Sequence, residues 1–156
     1  MPAHSFSPVA NFYDVLAQIV FGNKLQEAQA ANLRYISDNS RILIIGGGSG
    51  WILQQVIQHT QHSTIVYLEA SDSMLRKSEE KIINQNKNNK IEYRLGTEEN
   101  IGGQETFDII IANFFLDLFS PAYLIIILEK LNCALAPAGK WLITDFVQPR
   151  TGKFPP

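Results

Sequence analysis

Ile42-Leu43-Ile44-Ile45-Gly46-Gly47-Gly48-Ser49-Gly50 is the stretch on which the reading of this chain turns. Its continuous apolar run reads as a strand buried on both faces, the pattern of a parallel sheet. Glycines end the strand, and a helical pattern over 51–59 begins at once. Bare backbone is thereby placed beside a helix N-terminus, where unpaired N–H groups attract a carboxylate or phosphate and missing side chains let a ligand come close. A nucleotide-like ligand fits this arrangement, and a tight turn that binds nothing is the plainer alternative.

Outward from this stretch the rhythm repeats. Strands are predicted over 64–68, 91–95, 107–112 and 140–146, with helices over 73–86 and within 120–135 and a polar loop over 96–106. Strands alternating with helices predict an α/β fold, a Rossmann-like doubly wound parallel sheet of about five strands. Upstream, Val9, Phe12, Tyr13, Leu16, Ile19 and Val20 follow a helical spacing over 8–22, and a second helix is expected over 24–36. The Asn- and Lys-rich segment 81–90 reads as a solvated helix end. The chain is expected to be one domain over 1–156: an N-terminal helical segment 1–38, a core 40–147, and an irregular, proline-containing tail 148–156.

Composition narrows the partners. The 156 residues are 46% hydrophobic and 18% charged with a formal charge of −2, ordinary for one globular core that needs neither disulfide nor metal. There is no basic stripe for nucleic acid and no polybasic segment for a membrane, so the expected partner is a small molecule. The greasiest run, 123–131, is about half the roughly 20 residues a spanning helix needs. The N-terminus lacks the pattern of a signal peptide, and Cys133 reads as a packed thiol, so the expected location is cytoplasmic. His4, His59 and His62 form no spaced metal-ligand set with that cysteine.

A dinucleotide fingerprint, Gly-x-Gly-x-x-Gly, would put its third glycine where Trp51 stands, and its bulk opposes an NAD-dependent oxidoreductase. No Gly-Lys-Ser/Thr follows, which excludes a P-loop. Counted as Gly46, Gly48 and Gly50, and followed by Glu69 at the end of the next strand, the motif resembles the class I S-adenosylmethionine-dependent methyltransferases of the small-molecule type. The resemblance covers roughly 40–147 and rests on the order of its landmarks. It implies that Gly46, Gly47, Gly48, Ser49 and Gly50 approach the methionine part of S-adenosylmethionine. It also implies that Glu69, with Ala70 beside it, accepts hydrogen bonds from the ribose hydroxyls, a charge-assisted contact. Leu95-Gly96-Thr97-Glu98-Glu99-Asn100 resembles the adenine segment, with Thr97 in place of the usual aspartate and Glu98 as the other candidate. Phe107-Asp108-Ile109-Ile110-Ile111-Ala112-Asn113 resembles the fourth-strand motif, with Asn113 at its carboxyl end. Leu135-Ala136-Pro137-Ala138-Gly139 resembles the turn before the fifth strand, and Ser7 to Asp14 the segment that would lay Tyr13 over the cofactor.

Two departures stand out. The family often carries an acidic residue two positions before the first glycine, where this chain has Ile44. The family's sheet also continues with a helix and an antiparallel strand pair, so the expectation is a core lacking those C-terminal strands. Its fifth strand would be an apolar edge open to pairing in a homodimer. Methyl transfer from a sulfonium is an in-line displacement governed by alignment. If the acceptor must lose a proton, Asp117 and Tyr13 are the candidate bases, although Asp117 also suits a helix cap and Tyr13 a buried helix face. Phe114, Phe115 and Phe119 would line an acceptor pocket or pack in the core. Phe114-Phe115 after Asn113 speaks against a DNA amino-methyltransferase, which needs Pro-Pro-aromatic there. The rival reading is a non-catalytic S-adenosylmethionine-binding or interaction module.

Overall fold

The apolar run 42–45 forms the middle of the sheet, and none of its side chains is more than 2% exposed. In the computed structural model, which describes residues 23–86 and 88–146, the order is α1 (Lys24–Ala31), β1 (Arg41–Ile45), α2 (Trp51–His59), β2 (Thr64–Glu69), α3 (Asp72–Ile82), β3 (Lys90–Leu95), β4 (Phe107–Asn113), α4 (Pro121–Cys133) and β5 (Leu135–Thr144). Short 3-10 turns span Leu33–Tyr35, Glu98–Asn100 and Leu116–Leu118. The expected helix over 8–22, Tyr13 within it, and the tail 148–156 lie outside the described residues.

All strand pairs are parallel and the order is β3-β2-β1-β4-β5. The chain winds one way from β1 and then the other, so the carboxyl ends of β1 and β4 meet at a topological switch point, where open α/β sheets bind ligands. Side chains alternate between two cores, as a strand's period of two requires. Ile42, Ile44, Ile65, Tyr67 and Ile111 pack against Leu53 and Val56 of α2. Leu43, Ile45, Val66, Leu68 and Ile110 pack with Ile127 and Leu131 of α4. Burial of each such side chain contributes about 1.5–3 kcal/mol.

The connection from β3 to β4 carries no α-helix, only the Glu98–Asn100 turn. Glu105 ties it down. Its carboxylate meets Arg41 Nη2 at 2.9 Å and Arg94 Nη1 at 2.8 Å, and accepts the Gly102 N–H at 2.7 Å. The Arg94 hydrogen bond is the largest reason its pKa falls to about 2.

Some boundaries differ from those the sequence predicts. Asn32 ends α1 early, its side chain reaching Ile143 O at 3.4 Å and Thr144 Oγ1 at 3.5 Å. The helix expected over 73–86 ends at Ile82, and beyond it the Asn86 side chain closes a turn on the backbone of Asn89. The turn expected before the fifth strand is a bulge inside it: Leu135 pairs with Phe107, and the next partner, Ile109, faces Lys140. Pro137 has no N–H to give the ladder and Ala138 sits at φ +63°, so residues 136–139 loop out. Cys133 is exposed, not packed, because the buried stripe of α4 runs through Ile127 and Leu131. Among the described residues, no helix is long and apolar enough to cross a membrane, and β5 forms one edge of the sheet.

Candidate functional site

The carboxyl edge of the sheet opens on a pocket of about 410 Å³, lined by residues from the ends of β1 and β2, the loops after β3 and β4, and the first turns of α3 and α4. Its volume suits a drug-sized ligand. Of the residues singled out in the sequence, Gly46, Gly48, Glu69, Ala70, Thr97 and Glu98 line it, as do Phe114, Phe115 and Phe119.

The glycine turn forms the floor. Gly48 has φ +65°, and a Cβ there would point into open space, so its backbone is presented to the pocket. Gly50 has φ +94° and lies against Ser78, where any side chain would collide with the α3 backbone. Two β2 side chains hold Gly48 between them. Its N–H donates to Glu69 Oε2 at 3.0 Å, and its carbonyl accepts from the Tyr67 hydroxyl at 2.6 Å. Glu69 Oε1 accepts the Ser71 N–H at 2.9 Å, so backbone donors on both oxygens orient a carboxylate that is only 9% exposed.

The polar wall comes from the loop after β3. Thr97 caps the 3-10 turn, its N–H bonded to Asn100 Oδ1 at 2.9 Å, and its side chain is committed to that cap. Glu98 is 4% exposed and accepts the Tyr123 hydroxyl at 2.7 Å. That bond to a carboxylate, with lesser help from burial, pushes the Tyr123 pKa up to about 12. Here a buried acid stands one residue beyond the position the resemblance marks.

The opposite wall is aromatic. Phe114 leaves β4 at φ +50°, a sparsely populated conformation for a bulky side chain, and its N–H bonds Thr144 O at 2.7 Å. The turn brings Phe115 against Gly46 and sets Phe115, Phe119 and Tyr123 in a row, with ring centroids 5.0 and 5.7 Å apart. Leu118, 61% exposed, stands at the rim.

Asn113 points elsewhere, donating to Gln29 Oε1 of α1 at 3.2 Å, and does not line the pocket. Asp117 also stands outside the pocket lining and does not cap α4, since Ser120 Oγ accepts the Tyr123 N–H there. Asp117 faces Asp145, whose side chain accepts the Asp117 N–H at 3.2 Å. Burial, then the neighbouring negative charge, raises the Asp117 pKa. Gly47, Ser49 and Gly50 do not line the pocket; Gly47 lies against the Tyr67 ring and Gly50 against Ser78.

Sequence reasoning missed Tyr67, Ser71, Met74 and Tyr123. A signal existed for three of them. In a parallel sheet the helix after each strand begins at the carboxyl edge, so first-turn residues of α3 and α4 face the pocket. For Tyr67, inside a strand, no local signal distinguishes a core aromatic from one that touches the turn.

The donor set fits an adenosyl group carrying a charged amino acid: exposed backbone at Gly48, a fixed carboxylate at Glu69, and an apolar slot ending at a buried Glu98. The comparisons with known proteins agree. A family model described as methyltransferase domain matches residues 43–141. No curated protein matches by sequence at a significant level. Among solved structures, a complex of DhpI with SAM and HEP is similar with a TM-score of 0.72 at 17% identity, over 90% of this chain and 62% of that one. The cyclopropane synthase MmaA2 from Mycobacterium tuberculosis is similar with a TM-score of 0.67 at 16% identity, over 80% of this chain and 43% of that one. Coclaurine N-methyltransferase bound to N-methylheliamine and SAH gives 0.65 at 17% identity, over 78% and 36%. At these identities the likeness is one of fold, and the chain spans less than two thirds of the length of each of these three.

Proposed function

The chain belongs to the methyltransferase-domain family, and from that premise we propose that it binds S-adenosylmethionine in this pocket and serves methyl transfer to a small-molecule acceptor. The observation that carries the reading is the Gly48–Glu69 contact, which joins a presented glycine backbone to an oriented acid across the pocket floor. A carboxylate has about four lone-pair sites, so one held by backbone bonds still suits a ribose diol. On this reading Glu98 meets an exocyclic amino group, and Phe115 and Met74, which line the same pocket, flank the flat base.

When bound, the cofactor supplies an electrophilic methyl group on sulfur. The protein contributes alignment and exclusion of water, which together account for a large part of such a barrier. Gly48 and Glu69 fix the donor's depth and rotation, while Phe114, Leu118 and Phe119 present an apolar approach from the rim. That lining, with the absence of a basic stripe, favours a small apolar or amphipathic acceptor over nucleic acid. Asp117, its proton affinity raised by burial and then by Asp145, stands next to Leu118 of the rim and is the candidate for taking up a proton if the acceptor must lose one.

Calorimetric titration with S-adenosylhomocysteine tests the reading. Binding is expected, and Glu69→Ala should weaken it by at least about a hundredfold, the loss of two charge-assisted bonds of roughly 1.5–3 kcal/mol each. A folded wild-type protein that binds neither S-adenosylhomocysteine nor S-adenosylmethionine would refute it and leave an interaction module in its place.

A further inference from the structure

The hydroxyl of Tyr67 is placed where a core aromatic needs none. Tyr67 is fully buried in the middle of β2, in register with Ile44 of β1, which is itself 1% exposed and offers the glycine turn no polar partner. The Tyr67 ring lies so close behind Gly47 that any Cβ there would overlap it. Its hydroxyl donates to Gly48 O at 2.6 Å. Two residues further along the same face of β2, Glu69 takes the Gly48 N–H. The peptide groups on either side of Gly48 are thus pinned from one strand.

We propose that Tyr67 is a positioning residue for cofactor binding: its hydroxyl holds the turn 46–50 in the conformation that presents Gly48 to the ligand. The inference rests on the function proposed above. Three glycines of this turn have positive φ and none carries a side chain, so its free conformations are many and a ligand selecting one would bear the ordering cost. A hydrogen bond from a rigid, buried ring meets that cost during folding instead. Burial, with Glu69 nearby, pushes the phenol pKa above its ordinary value, so the hydroxyl keeps its proton and remains a donor across the working pH range.

The test compares Tyr67→Phe with Tyr93→Phe. Tyr93 is the ring's edge-on neighbour at 6.0 Å, on the adjacent strand β3. Calorimetry with S-adenosylhomocysteine should show Tyr67→Phe binding about tenfold more weakly, the worth of one lost hydrogen bond, while Tyr93→Phe binds as the parent. Amide spectra without ligand supply a readout that general loosening would not give: the Gly48 and Gly50 resonances should shift in Tyr67→Phe while those of β1 and β2 stay. Equal affinity of a folded Tyr67→Phe and its parent, or unmoved Gly48 and Gly50 resonances, would overturn the inference. Failure of the parent itself to bind would overturn the function proposed above, and the spectra would then decide whether Tyr67 still orders the turn.

Discussion

Two turns leave the same edge of the sheet and build the pocket by opposite means. After β1 the chain has shed its side chains, and the turn 46–50 is shaped by what is missing and held by polar bonds from β2. After β4 it is crowded with rings: Phe115 and Phe119 pack against Gly46, Tyr123 and each other, and Phe114 packs against Phe146. The first turn leaves room for a ligand to come close at Gly48 and sets the Glu69 carboxylate beside it. The second can only shape and dry the space, since rings offer area but few directed bonds. Placing one opposite the other yields a site with a directional floor and an apolar wall, which single motifs do not provide.

The contrast breaks most severely at Gly48. Gly48→Val places a β-branched side chain at φ +65° and fills the pocket floor, so binding of S-adenosylhomocysteine should become undetectable by calorimetry. On the aromatic side, Phe115→Ala should cost about 3 kcal/mol of stability by opening a cavity, seen as a lower urea midpoint, while affinity falls only severalfold. Should Phe115→Ala match Gly48→Val in lost affinity, the division of labour between the two turns would be wrong. The smallest effect is at Glu105, remote from both turns. Its folded pKa, about 2, lies below the ordinary 4.5, so its stabilisation is complete above the unfolded value and is lost as pH falls from there toward 2. Glu105→Gln should flatten that part of the acid-stability curve and leave neutral affinity unchanged.

The five-strand alternation and the two-faced burial of 42–45 were legible because continuous apolar runs are what a covered parallel sheet demands. Glu69 was legible as well, as an acid ending a buried strand at a fixed distance from the glycines. Element ends were less so. The bulge over 136–139 depends on which β4 residues stand opposite, and Asn32 stops α1 by reaching 112 residues along the chain to Thr144. Cys133 read as buried because α4 is apolar nearly all round, whereas only one stripe of it touches the sheet.

What the sequence by itself determined is the class of fold, the site's edge of the sheet, and the glycine turn with its acid, because these follow from local periodicity and backbone freedom. Which side chains meet was decided by tertiary structure alone. Glu98 finds Tyr123 across 25 positions, Asn113 turns to Gln29 across 84, and Tyr67 reaches Gly48 from a neighbouring strand. Strand order and register set such pairings, and neither is encoded in the residues that meet.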